Sequence, residues 1–110
     1  MKPKIVSIFR FGKKVKILNK KYRNIAQDLK TLQQYLESNP YLGDEVFKNC
    51  YKIRVKNSSI KKGKSSGFRV IYYYLGQDSN IYLIEIYSKS DQESIKISDL
   101  VKLIKDEDLN

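Results

Sequence analysis

The stretch KKGKSSGFRVIYYY runs from Lys61 to Tyr74 and decides how the chain is read. It begins as a basic, glycine-punctuated loop and ends as an aromatic, β-branched run, Phe68 to Tyr74. Gly63-Lys64-Ser65 matches the tail of a nucleotide-binding loop. The rest of that motif is missing. Backbone amides wrap phosphates only with a further glycine five positions earlier, and that position is Ser58. The motif also needs a helix directly after it, because a helix N-terminus supplies part of the anion site. Phe68-Arg69-Val70-Ile71 is strand material instead. The loop is therefore basic for a different purpose.

Working outward, the flanking segments have the two-residue period of strands. Tyr51-Lys52-Ile53-Arg54-Val55-Lys56 alternates strictly, with Tyr51, Ile53 and Val55 on one face and three cations on the other. Gly76 to Asn80 reads as a turn, and Ile81 to Tyr87 as a last strand. Lys4 to Phe9 reads as a first strand. Between them, Arg10 to Lys20 predicts a basic helix with Phe11, Val15 and Leu18 on its apolar stripe. Tyr22, Ile25, Ala26, Leu29, Leu32 and Leu36 recur at helical spacing and predict a longer amphipathic helix, ended by Asn39-Pro40. Tyr41 to Asn49 reads as loop. Ile97, Leu100, Val101 and Ile104 predict a final helix. Ser90 with Glu93 fits a capping box, and Ser98 is a candidate cap. The expected fold is α+β, in the order β-α-α-β-β-β-α. A small, mainly antiparallel sheet is packed by a helical hairpin and a C-terminal helix. The sheet face carrying Lys52, Arg54 and Lys56 is expected to stay open as a basic groove.

Composition sets the limits. At 110 residues, one domain over 1–110 is expected. Lysine and arginine number 22 against 12 acids, a net charge of +10. That surplus points to a polyanionic partner, with solubilising lysine as the plain alternative. No apolar run suits a membrane span, and the N-terminal apolar stretch is too short for a signal peptide. The lone Cys50 forms no internal disulfide and reads as a small apolar residue beside a strand. Cytoplasmic location is expected. The absence of histidine removes histidine acid–base catalysis and histidine metal ligation. Catalysis would have to use Lys, Arg, Tyr, Asp, Glu or Ser.

CYKIRV, GKSSGFRVIYYY and IYLIEIYSKSDQESI, followed by a short helix, together resemble the RelE superfamily of toxins from bacterial toxin–antitoxin systems. The nearest likeness is to its HigB/RelE-like branch. The resemblance spans nearly the whole chain and is most specific in KSSGFRVIYY and IYSKSDQE. It implies a metal-independent endoribonuclease without cofactor that cuts mRNA at the ribosome, blocks translation and is silenced by a cognate antitoxin. ParE-like members of the same superfamily poison DNA gyrase instead. Charge alone fits a non-catalytic RNA-binding module equally well. Carried over by position, the family's basic pair falls on Lys52 and Arg54, its strand arginine on Arg69, and its late basic residue on Lys89. Tyr87 stands where an aromatic flanks the site. The tyrosine that some members carry in the C-terminal helix is missing, since Ser94, Ile95 and Lys96 occupy that neighbourhood.

Such chemistry has three requirements: a base at the 2′-oxygen, an acid at the leaving 5′-oxygen, and cations at the phosphate. Arg54 and Arg69 suit the phosphate, because guanidinium stays charged and binds bidentately. Lys52 or Lys89 suits the base or acid, and Tyr87 suits base stacking or proton transfer. Lys56, Lys61, Lys62 and Lys64 suit the flanking backbone. Two structural readings compete. Arg69 could simply balance Glu85 on the neighbouring strand. Tyr72, Tyr73 and Tyr74 read as core or sheet surface rather than as base-stacking groups.

Overall fold

A computed structural model describes residues 2–60, 67–76, 80–91, 95–107 and 109. Its elements are β1 (Lys4–Ser7), α1 (Phe9–Asn19), α2 (Ile25–Ser38), β2 (Asp44–Phe47), β3 (Cys50–Val55), β4 (Phe68–Tyr74), β5 (Asn80–Ser88) and α3 (Ile97–Asp106). The strands form one sheet in the order β1-β5-β4-β3-β2. β1 runs parallel to β5, and the other pairs are antiparallel. This is the expected α+β arrangement with one strand added.

The added strand is β2, inside the segment expected to be loop. Asp44–Phe47 is four residues long and includes two acids, so it has little strand propensity of its own. Pairing forms it. A tight turn returns the chain from Phe47 to Cys50, with Asn49 at φ 64, a conformation that asparagine tolerates better than most residues. The buried Tyr72 hydroxyl fixes the entry to β2. It donates to the Pro40 carbonyl at 2.8 Å and accepts from the Gly43 amide at 2.9 Å. Burial pushes this phenol up to about 12, which keeps it a donor at neutral pH.

α1 and α2 use the stripes their periodicity predicts. Phe11, Ile25, Leu32 and Leu36 are buried, and Val15, Leu18 and Leu29 pack against the core. Ala26 is exposed. Tyr22 lies in the turn between the helices, meets Phe68 edge-on at 5.5 Å and bonds Ser88. It thereby ties the helical hairpin to the far ends of β4 and β5. Leu100 and Ile104 of α3 join the same core. α3 starts later than the capping box implied. Lys96 is its N-cap residue and makes no side-chain cap, while Ser98 lies within the helix. Glu93 falls outside the described residues.

The expectation of one open sheet face needs correcting. All of β4 from Phe68 to Tyr73 is buried, on both faces. Arg69, Ile71 and Tyr73 are buried, as are Phe68, Val70 and Tyr72 on the other face. The expected cationic face is open only on the β3 side among the described residues, where Arg54 and Lys56 are exposed and Lys52 is half-buried. A central strand of a five-stranded sheet, rich in large apolar residues, is the part that folding buries most completely. Among the described residues, no helix is long and apolar enough to cross a membrane.

Candidate functional site

Register brings three of the expected site residues into one row. Arg54 pairs with Arg69 across β3 and β4, and Arg69 pairs with Tyr87 across β4 and β5. Residues directly opposite each other in a sheet share a face, so these side chains stand side by side. Lys52 is two residues from Arg54 on the same strand face, in the row Lys52, Ile71, Glu85. On the other side of the Arg54 row, the Lys89 amide donates to the Gly67 carbonyl at 3.0 Å. Continued by one step beyond Val55–Phe68, the β3–β4 register sets Lys56 opposite Gly67 as well. Lys56 and Lys89 therefore flank a glycine at one end of the row. Lys61, Lys62 and Lys64 lie outside the described residues.

Gly67 makes that end close-packed. A Cβ there would stand 2.5 Å from the Val55 carbonyl oxygen, a distance that backbone cannot accept. Gly67→Ala should therefore push β3 and β4 apart beside Arg54 and Arg69. We expect a stability loss of about 1–3 kcal/mol, read as a lower melting temperature.

The electrostatics of the row are unusual. Arg69 is only 8% exposed, yet among the described residues its guanidinium makes one hydrogen bond, from Nη1 to the Phe68 carbonyl at 3.3 Å. Among the described residues, neither Arg54 nor Arg69 forms an ion pair. Burial, and then the neighbouring Arg54 charge, push the Arg69 guanidinium below its ordinary value. A buried cation held beside a second, exposed one costs free energy unless an anion joins them. The Tyr87 phenol beside them is buried and has no hydrogen-bond partner among the described residues. Burial pushes it up, against the opposing pull of Arg69, so it stays protonated at neutral pH.

The simple pairing of Arg69 with Glu85 is not what the fold makes. Glu85 sits opposite Ile71, one row away. Its carboxylate is 2% exposed and accepts from Arg10 Nη2 and Lys14 Nζ, each at 2.9 Å, and from the Ile86 amide at 3.0 Å. A register shift between Ile71 and Tyr72 turns β5 at this point. Arg10 and Lys14 are four apart, so one face of α1 presents both to the same carboxylate. That spacing was a readable signal, as was a single acid inside IYLIEIY. The carboxylate that would have neutralised the arginine row is thus spent on fixing α1.

Cys50 is the first residue of β3 and fully buried, with its thiol pushed up to about 12 by burial. It is inert packing, as its position in the sequence implied. Tyr72 and Tyr73 are core, and Tyr74 packs against it.

No protein-family model matches the chain. Among solved structures it is similar to a doubly arginine-substituted mutant of the E. coli toxin RelE in its free state. The two share 21% sequence identity, and the likeness covers 94% of this chain and 99% of the other, with a TM-score of 0.65. The chain therefore has the fold of the toxin RelE, with the row Arg54–Arg69–Tyr87 crossing the three central strands of its sheet near one end.

Proposed function

We propose that the chain is the toxin of a toxin–antitoxin pair and a metal-independent endoribonuclease that cuts mRNA at the ribosome. The observation that carries this reading is the unpaired cationic row. Among the described residues, two guanidinium groups share one face of β3 and β4 with no carboxylate paired to either, beside a buried phenol without a hydrogen-bond partner. A phosphodiester supplies what the row lacks: a negative charge for the arginines and an oxygen for the phenol.

The reaction follows from those groups. The 2′-hydroxyl of the RNA attacks its own phosphorus, the bond to the 5′-oxygen breaks, and a 2′,3′-cyclic phosphate and a 5′-hydroxyl result. Arg54 and Arg69 hold the phosphate oxygens and stabilise the charge that builds on them. Tyr87, protonated at neutral pH, donates to the departing 5′-oxygen. Lys52 or Lys89 accepts the proton of the 2′-hydroxyl, and Lys56 grips the flanking backbone together with Lys61, Lys62 and Lys64. A cognate antitoxin silences the protein by occluding this surface.

Expression of the chain alone should arrest bacterial growth with loss of translation. Arrest with broken DNA and continuing translation would instead identify a gyrase inhibitor. Binding to single-stranded RNA should weaken steeply with salt, because lysine and arginine displace counterions. With about five phosphates contacted, log affinity should fall with a slope of roughly −3.5 against log salt. A slope near zero would remove the RNA groove.

A further inference from the structure

Lys89 enters the proposed site from a turn rather than from a strand. β5 ends at Ser88. The Asp91 amide then donates to the Ser88 carbonyl at 3.0 Å, which closes a turn with Lys89 and Ser90 at its centre. The sheet fixes one side of this turn, where the Lys89 amide donates to the Gly67 carbonyl at 3.0 Å. Tyr22 fixes it from behind.

Tyr22 lies between α1 and α2 and is buried. Its ring packs edge-on against Phe68, and its hydroxyl accepts from Ser88 Oγ at 3.3 Å. Phe68 and Ser88 face each other across β4 and β5, one row from Arg69 and Tyr87 and on the opposite face of the sheet. The same hydroxyl lies 3.4 Å from Ser90 Oγ and donates toward Asp91 Oδ2 at 3.5 Å. One phenol thus holds the residues on both sides of Lys89. The Ser88 hydroxyl, and then that of Ser90, pull this phenol below its ordinary value, as groups that donate to its oxygen do. Lys21 adds an ion pair to Asp91 at 3.3 Å, but the two side chains are 65% and 45% exposed, and an exposed pair of that kind contributes little. The buried hydroxyls therefore carry the position.

We propose that Tyr22 is a positioning residue, whose hydroxyl sets the Ser88–Asp91 turn and so holds Lys89 at the end of the arginine row. This role rests on the endoribonuclease reading, in which Lys89 exchanges a proton with the RNA. A group that transfers a proton works only within hydrogen-bond reach of its target. A displaced turn therefore costs rate while the phosphate clamp of Arg54 and Arg69 stays intact. Tyr22 itself lies behind the sheet and touches no RNA.

Tyr22→Phe tests it, since this change keeps the ring against Phe68 and removes only the hydroxyl. It strands no buried group, because Ser88 Oγ keeps Ser90 Oγ at 2.9 Å. Amide hydrogen exchange of the full chain, followed by NMR, needs no RNA. The Lys89 amide should exchange about tenfold faster, the factor that one net hydrogen bond carries, while amides in the middle of β4 change by less than about twofold. Single-turnover cleavage of mRNA on ribosomes should slow about tenfold, with RNA affinity within about twofold of the unaltered chain. In a Lys89→Ala background the same change should cost nothing more, because both act through one group. Faster exchange throughout the sheet would make Tyr22 a packing residue and overturn the proposal. Losses that multiply in the double variant would do the same, as would a Lys89→Ala chain that cleaves normally. If the unaltered chain cuts no RNA, the endoribonuclease reading fails, while the Lys89 exchange still decides whether Tyr22 holds the turn.

Discussion

Arg69→Ala should abolish toxicity while leaving the fold as stable as before, or more so. Losing one preorganised charge-stabilising group costs about a hundred- to a thousand-fold in rate. The stability side follows from the partners of Arg69. Its guanidinium is buried, bonded among the described residues to the Phe68 carbonyl alone, and stands beside a second cation. Removing an unpaired buried charge relieves its desolvation and its repulsion from Arg54. Single-turnover cleavage and melting temperature, measured on one preparation, give the answer. A lowered melting temperature with unchanged cleavage would make Arg69 a structural residue.

Glu85→Ala should do the reverse. Glu85 is buried and accepts three hydrogen bonds that join α1 to the turn in β5. Its cationic partners are 52% and 28% exposed and regain water when it is lost, which discounts the penalty. We expect a loss of about 2 kcal/mol. For a chain of this size that lowers the melting temperature by about 10 °C. Activity per folded molecule should stay within a few-fold, because Glu85 lies one row away from Arg69. If Glu85→Ala instead kills cleavage without loss of stability, the carboxylate belongs to the chemistry and the assignment of the row is wrong.

These two residues also mark where the sequence could be read and where it could not. Strand identity was legible wherever large β-branched and aromatic residues ran together, as from Phe68 to Tyr74. Both helices of the hairpin followed from their apolar stripes. Arg54, Arg69 and Tyr87 were picked out singly, by resemblance, and their meeting in one row is a matter of register that no single strand encodes. β2 was missed because Asp44-Glu45-Val46-Phe47 owes its form to pairing with β3. The open face was over-read from β3 alone. Alternation in an outer strand says nothing of how deeply its inner neighbour is buried, and β4 is covered on both sides. Glu85 serves α1 rather than Arg69 because the register sets Tyr87 opposite Arg69 and leaves Glu85 opposite Ile71, a pairing that no single strand encodes.

The central claim is that the row cuts RNA with the RNA's own 2′-hydroxyl. The most direct measurement is the end chemistry of mRNA recovered from translating ribosomes after exposure to the purified chain. The account predicts new 3′ ends bearing 2′,3′-cyclic phosphate and matching 5′-hydroxyl ends, both absent with Arg69→Ala. Intact mRNA, or the same cuts made by Arg69→Ala, would contradict it.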